Sequence, residues 1–170
     1  MSDQPFYASG LRFSCARCSS CCRHESGFVY LSENDLSLLA REFKMEYAPF
    51  IRTWCRWVSF QRGSERLSLK EKSNYDCIFW NGTDGCRAYH ARPLQCRAFP
   101  FWDSIVCSAE AWEKAGAGCV SSRGCVSSRG CPGINSGELH MRDEIENFLR
   151  LMENEPVIER TAPYIGGGNC

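Results

Sequence analysis

"SCARCSSCC", residues 14–22, sets Cys15, Cys18, Cys21 and Cys22 within eight consecutive positions. Sulfurs this crowded are paired as disulfides, hold a metal, or act as redox thiols. A disulfide framework belongs to oxidising compartments and favours an even number of cysteines. Thirteen of the 170 residues are cysteine, an odd count. The opening "MSDQPFYASGLRF" has neither the basic n-region nor the apolar h-region of a secretory signal. A chain of this length also buries a core without covalent staples. The expectation is a reduced, cytoplasmic protein whose clustered thiols bind metal.

The spacing supports that choice. A C-x-x-C turn brings two sulfurs to the same side of a tight loop, where backbone N–H groups stabilise the thiolates and zinc takes four such ligands. The triple run Cys15-x2-Cys18-x2-Cys21 is also the kind that grips three corners of a cubane iron–sulfur cluster, with a fourth thiolate from elsewhere. Cys21 and Cys22 are adjacent, and neighbouring side chains diverge, so two sites or one multinuclear cluster would use both. Later candidates are Cys77 in "DCIFW", Cys86 in "GCRAY", Cys96 in "QCRAF" and Cys131 in "CPGI". Four early and four late thiols suffice for two four-thiolate sites. Such sites carry negative charge, and Arg23, Arg87, Arg92 and Arg97 lie within four residues of a proposed ligand, placed to offset it.

Working outward, Phe28–Leu31 reads as a short strand. Ser32 then caps a helix, with Asp35 three residues on. Leu36, Leu39, Ala40 and Phe43 recur on one helical face, and Tyr47, Phe50, Ile51 and Trp54 on that of a second helix after a break near Met45. Trp57–Phe60 and Leu67–Leu69 flank the polar turn "QRGSE" as a hairpin. Residues 77–102 are rich in cysteine, aromatics, Gly and Pro with little period, so their order is expected to come from bound metal, with the aromatics shielding it. A last helix is expected from about Glu138 to Met152, its stripe made of Met141, Ile145, Phe148, Leu149 and Met152. The organisation predicted is a segment at 1–11, a metal-binding domain at 12–153 and a flexible tail at 154–170. The fold class is α+β: one small domain of helices and short strands, irregular around its cysteines.

The remaining thiols and imidazoles read more plainly. "CVSSRG" at 119–124 recurs at 125–130, a short duplication in a surface loop, or else a thiol-rich extension carrying Cys119 and Cys125. Cys55 between Trp54 and Trp57 reads as core, and Cys107 as core or a spare ligand. Cys170, after three glycines, is not expected to ligate. His24, His90 and His140 read as surface groups. Twenty basic and twenty acidic residues cancel, so no overall field draws nucleic acid or an anionic membrane. No apolar run approaches a membrane span.

Several ordered motifs carry a family likeness. "CARCSSCC", the helix start "LSENDLSLLA", the run C-x-x-Y-x-x-R-P-x-x-C-R-x-F-P from Cys86 to Pro100, and "CPGINSG" together resemble the cysteine-cluster (CxxCxxCC, YkgJ-type) family, described as zinc- or iron-chelating. The likeness extends over about residues 12–137. It implies ligands at Cys15, Cys18, Cys21, Cys22, Cys77, Cys86, Cys96 and Cys131, with zinc, iron or an iron–sulfur cluster as the cofactor. The chain departs from the pattern in its "CVSSRG" duplication, in Cys55 and Cys107, and in Ser20, where the family shows glycine. Three functions follow. The first is a metal-binding or carrier module. The second is a metal- or iron–sulfur-dependent enzyme component, since the same cluster resembles that of flagellin lysine methylases, although no nucleophile–base pair or Gly-rich cofactor loop is present. The third is a thiol-based redox or metal sensor using Cys119 and Cys125.

Overall fold

The computed structural model describes residues 4–61, 63–118 and 130–161. The chain enters the fold as β1 (Leu11–Phe13) and then runs irregularly through the cysteine cluster to Val29. Ser32 caps α1 (Glu33–Glu42): its hydroxyl accepts from the N–H of Asp35, and the Asp35 carboxylate accepts from the N–H of Ser32. This reciprocal box satisfies two donors that lack a partner inside the helix. Leu36, Leu39 and Ala40 are buried on the predicted face, and α2 (Tyr47–Trp54) follows, burying Phe50.

The expected hairpin forms from β2 (Cys55–Ser59) and β3 (Ser64–Leu69), in register from Cys55 opposite Leu69 to Ser59 opposite Glu65. The strand expected at Phe28–Leu31 contracts to a single bridge, Tyr30 with Ser68. Around that bridge, Leu31 N–H donates to Leu67 O and Leu69 N–H to Val29 O. Residues 77–102 hold only short pieces, β4 (Trp80–Asn81) paired with β5 (Gly85–Cys86) and then α3 (Leu94–Ala98), and α4 (Asp103–Val106) and α5 (Ala109–Ala117) follow them.

Two expectations fail in the C-terminal third. Residues 138–141 do not begin the last helix. Ile134–His140 is a strand, β6, antiparallel to β1 with Leu11 opposite His140 and Arg12 opposite Leu139. The ladder to β1 claims these backbone groups, and α6 starts only at Arg142, running to Asn154. Met141, assigned to the apolar stripe, is therefore 55% exposed, while Ile145 is fully buried. Residues 155–161 are not a loose tail either. Val157 bridges Ser32, and β7 (Glu159–Thr161) forms the third strand beside β3. Cross-strand pairs Arg66–Glu159 and Arg160–Glu65 hold this polar strand, at 3.2 and 2.6 Å. The sequence copies from 119 to 129 lie outside the described residues, with Cys119 and Cys125, as do 162–170 with Cys170.

Two hydrophobic clusters result, in a small α+β domain. The first gathers Leu31, Leu36, Leu39, Phe50, Leu67 and Phe79, with Cys77 and Cys86 packed against it. The second gathers Phe101, Ile105, Val106, Trp112, Ile134 and Ile145, with Phe13, Phe99 and Cys131 against it. The segment 14–28 therefore leads from β1 on the second cluster to Val29 on the first. Among the described residues no helix is long and apolar enough to cross a membrane.

Candidate metal centre

The early thiols ride on a loop fixed at both ends. At its start, Ser14 N–H donates to Gly133 O at 3.2 Å, and the Ser14 hydroxyl accepts from Glu138 N–H at 3.0 Å. Within it, Arg17 and Ser19 take positive φ values of 52° and 64°. Cys22 N–H then closes a one-turn 3-10 helix (Ser20–Cys22) onto Ser19 O at 2.9 Å. Ser20 itself is not in the left-handed region. A serine where the family shows glycine thus strains nothing.

The late thiols come from four separate pieces. Cys77 follows the buried Asp76, and its N–H donates to Cys22 O at 2.7 Å, tying late chain to early chain. Asp76 also accepts from His24 N–H and pairs with Arg23, whose guanidinium lies 3.9 Å from the centre of the Trp80 ring. Cys86 stands in β5 opposite Trp80. Cys96 is on α3, which is held by two side chains that the sequence did not connect to it. Asp35 accepts from Leu94 N–H at 2.7 Å. The Gln95 amide mimics a strand, accepting from Tyr30 N–H and donating to Phe28 O. Cys131 is anchored through its N–H on Ala115 O.

These eight thiols border two adjoining cavities. Cys15, Cys21, Cys22, Cys77, Cys86 and Cys96 line an open cleft of about 720 Å³, with Phe79, Phe99 and Trp102 among its aromatic walls. Cys15, Cys18, Cys21 and Cys131 line a small pocket of about 30 Å³. Cys15 and Cys21 belong to both. The two remaining described cysteines lie elsewhere: Cys55 is buried in the first hydrophobic cluster, and Cys107 is exposed with its sulfur facing Ser104 O at 3.6 Å. All ten described cysteines are unpaired. Of the histidines, His90 is on the rim of the cleft, His24 is exposed, and His140 is tied to Phe13 O and Glu144. Among the described residues, no three His, Cys, Asp or Glu side chains converge tightly enough to hold an ion as they stand.

Burial and crowding act together on the ionisation of the cluster. Burial pushes the thiols of Cys77, Cys86, Cys96 and Cys131 above the usual range, and neighbouring sulfurs add to it. Cys21 and Cys22 share a hydrogen bond between their sulfurs, 3.7 Å apart, that drives Cys22 up and holds Cys21 down to about 7. Sulfurs that oppose one another's ionisation stay neutral alone, and a bound cation reverses the balance for all of them. The backbone already favours thiolates. N–H groups of Phe79 and Trp80 face the sulfur of Cys77, that of Ala88 faces Cys86, and those of Gly133 and Ile134 face Cys131. Of the four arginines expected to offset charge, Arg92 acts on Cys21, Cys86 and Cys96. Arg87 instead lies against Phe43 and Trp54, and Arg97 reaches Asp35 and Arg92 O.

A donor set made of sulfur alone is the chemistry of soft and borderline metals, zinc and iron–sulfur clusters above all. The cleft and the small pocket between them bring together a cysteine-rich surface of that chemistry. Residues 14–121 match the model of the CxxCxxCC family, described as "putative zinc- or iron-chelating domain", and the chain belongs to that family. It is also similar to the uncharacterized protein MJ0661 of Methanocaldococcus jannaschii, at 28% identity over 96 residues. That alignment covers 56% of this chain and 48% of the relative, so the chain spans about half the length of the curated protein it matches. No solved structure matches it.

Proposed function

We propose that this chain chelates zinc or iron, as ions or as an iron–sulfur cluster, through a site formed by Cys15, Cys18, Cys21, Cys22, Cys77, Cys86, Cys96 and Cys131. One observation carries the reading: these eight cysteines, and neither Cys55 nor Cys107, border the two adjoining cavities. The protein's own part is to supply sulfur, to aim backbone N–H groups at it, to place Arg92 beside three of the thiols, and to limit water with Phe79, Phe99 and Trp102. A metal bound there would supply cross-linking of the early loop to both hydrophobic clusters, and redox chemistry if it is an iron–sulfur cluster. The test is metal analysis with a visible spectrum on protein purified without oxygen. About two zinc ions per chain in a colourless solution, or iron with labile sulfide in a brown one, supports the proposal. Protein that carries neither and takes up neither overturns it.

The size of the cleft favours a second reading. At about 720 Å³ it falls within the roughly 300–1,000 Å³ of small-molecule sites, more room than thiolate-bound ions fill. In this reading the chain is an enzyme component that seats a small molecule against the metal. An exchangeable water on the loaded metal supports it, and a fully sulfur-saturated metal speaks against it.

A further inference from the structure

We infer that Arg17, Tyr89, His90 and Arg92 form an oxyanion subsite on the rim of the large cleft. It holds the carboxylate or phosphate end of a small molecule seated beside the cysteines. The inference deepens the second reading above and takes from it that the cleft is a ligand site. All four side chains line the cleft. The guanidiniums of Arg17 and Arg92 both lie against the Tyr89 ring, 4.6 and 4.0 Å from its centre. His90 meets the same ring edge-on, with 5.6 Å between the ring centres. Three groups able to donate to an anion thus gather on one tyrosine, and Arg17 reaches it from the early cysteine loop.

Their charge is not answered from within. Of the carboxylates that line the cleft, Glu71 is paired with Arg56, Asp84 accepts from Asn81, and Glu25 is engaged too. Arg23, also in the cleft, has its own partner in Asp76. The ion pairs among the described residues include neither Arg17 nor Arg92. The ring attracts each guanidinium but leaves the two cations repelling one another, and an oxyanion bound to both relieves that repulsion. Arg92 is oriented for it. Its Nε donates to Tyr89 O at 3.0 Å, which fixes the guanidinium plane and leaves the two terminal nitrogens, whose fork matches a carboxylate or phosphate. Arg92 also acts on Cys21 and Cys86, whereas Arg17 acts on neither. The subsite therefore adjoins the sulfurs without being consumed by them. At about 720 Å³ the cleft has room for the rest of the molecule.

Calorimetric titration of the zinc-loaded full chain with inorganic phosphate and, separately, with succinate tests the subsite. The expected result is binding of at least one probe at about 1 mM or tighter, and the tighter of the two tells phosphate from carboxylate. Arg17→Gln should weaken that binding about tenfold, and Arg17→Lys should restore part of the loss. Arg150→Gln, on α6 and not in the cleft, should change nothing. Failure of both probes to bind overturns the subsite, as does binding that Arg17→Gln leaves intact or that Arg150→Gln weakens equally. Zinc content is read on every sample. An Arg17→Gln chain that loses zinc along with the anion makes Arg17 a prop of the cysteine loop and also overturns the subsite. A chain that takes up no zinc is titrated as it stands, so failure of the metal reading does not hide the answer. An anion that binds while the metal is saturated by sulfur supports the subsite and removes the metal from the chemistry of the second reading.

Discussion

The N–H of Cys77 donates to the carbonyl of Cys22 across 2.7 Å, and with the bond from His24 N–H to Asp76 it joins the early cysteine loop to the late cysteine segment. Elsewhere between Ser14 and Gly27 the loop's anchors are few: Gly133, Glu138 and Glu71. The two hydrophobic clusters, by contrast, are built from residues that include no proposed ligand in their buried sets. Metal removal should therefore open this region first, before either cluster. In hydrogen exchange, chelation is expected to accelerate the amides of Cys22 and Cys77 strongly while those of Leu39 and Ile145 stay protected. Uniform acceleration throughout the chain would mean that metal holds the whole fold together.

The cysteines should divide sharply in their response to substitution. Cys18→Ser removes a sulfur from the small pocket and is expected to give metal-poor, less soluble protein. Cys170→Ser is expected to leave metal content unchanged. Cys55→Ser separates stability from binding: the thiol is buried, pushed up to about 12 by that burial, and a hydroxyl there lacks a ready partner. The cost should be about 1–3 kcal/mol of stability with metal content retained. Urea melts alongside metal analysis on the three variants check all of this. Soluble Cys18→Ser with full metal would remove that residue from the site.

Gly133 links the second cluster to the site through sheer lack of space. A Cβ at this position would sit 2.2 Å from Ser14 O and 3.0 Å from the Phe13 ring. Its carbonyl also receives Ser14 N–H, and its N–H faces the Cys131 sulfur. Gly133→Ala must push the Cys15 loop and the Cys131 turn apart. The expected loss is about 1–3 kcal/mol of stability, together with weaker metal retention against a competing chelator. Weakened stability with unchanged retention would uncouple this contact from the site.

The features legible in the sequence were those encoded by near neighbours. The Ser32–Asp35 box, the faces of α1 and α2 and the β2–β3 hairpin each depend on residues a few positions apart. The expected helix start at Glu138 overruns β6 because Met141 extends the apolar rhythm of α6, while β1, the strand that pairs with Leu139 and His140, lies at the far end of the chain. Strand β7 was misread because its stability comes from Arg66–Glu159 and Arg160–Glu65, pairs that look like solvated charge until the strands are aligned. The sharing of Cys21 between two cavities, and the grip of Gln95 on Phe28 and Tyr30, exist only in three dimensions. Asp35 was legible as a cap but not as the second anchor of the helix that bears Cys96.

That second role makes Asp35 a source of pH dependence. Its carboxyl is pushed above the ordinary carboxylate range, first by burial, with Glu155 adding to the shift against the hydrogen bonds from Leu94 and Ser32. Arg97, also facing it, stands at 3.8 Å. A folded-state pKa above the unfolded one means that the protonated group favours the fold. Its contribution is complete below the unfolded value and is lost as pH rises through the raised folded value. Asp35→Asn cannot titrate. The stability of the wild type relative to this variant should therefore fall as pH climbs from the ordinary carboxylate range through the raised value, then level off. Urea melts of both proteins across that range measure it, best on metal-loaded samples at constant free metal. A difference that grows with pH would show that the hydrogen bonds from Leu94 and Ser32 outweigh burial, and that Asp35 anchors α3 as a carboxylate.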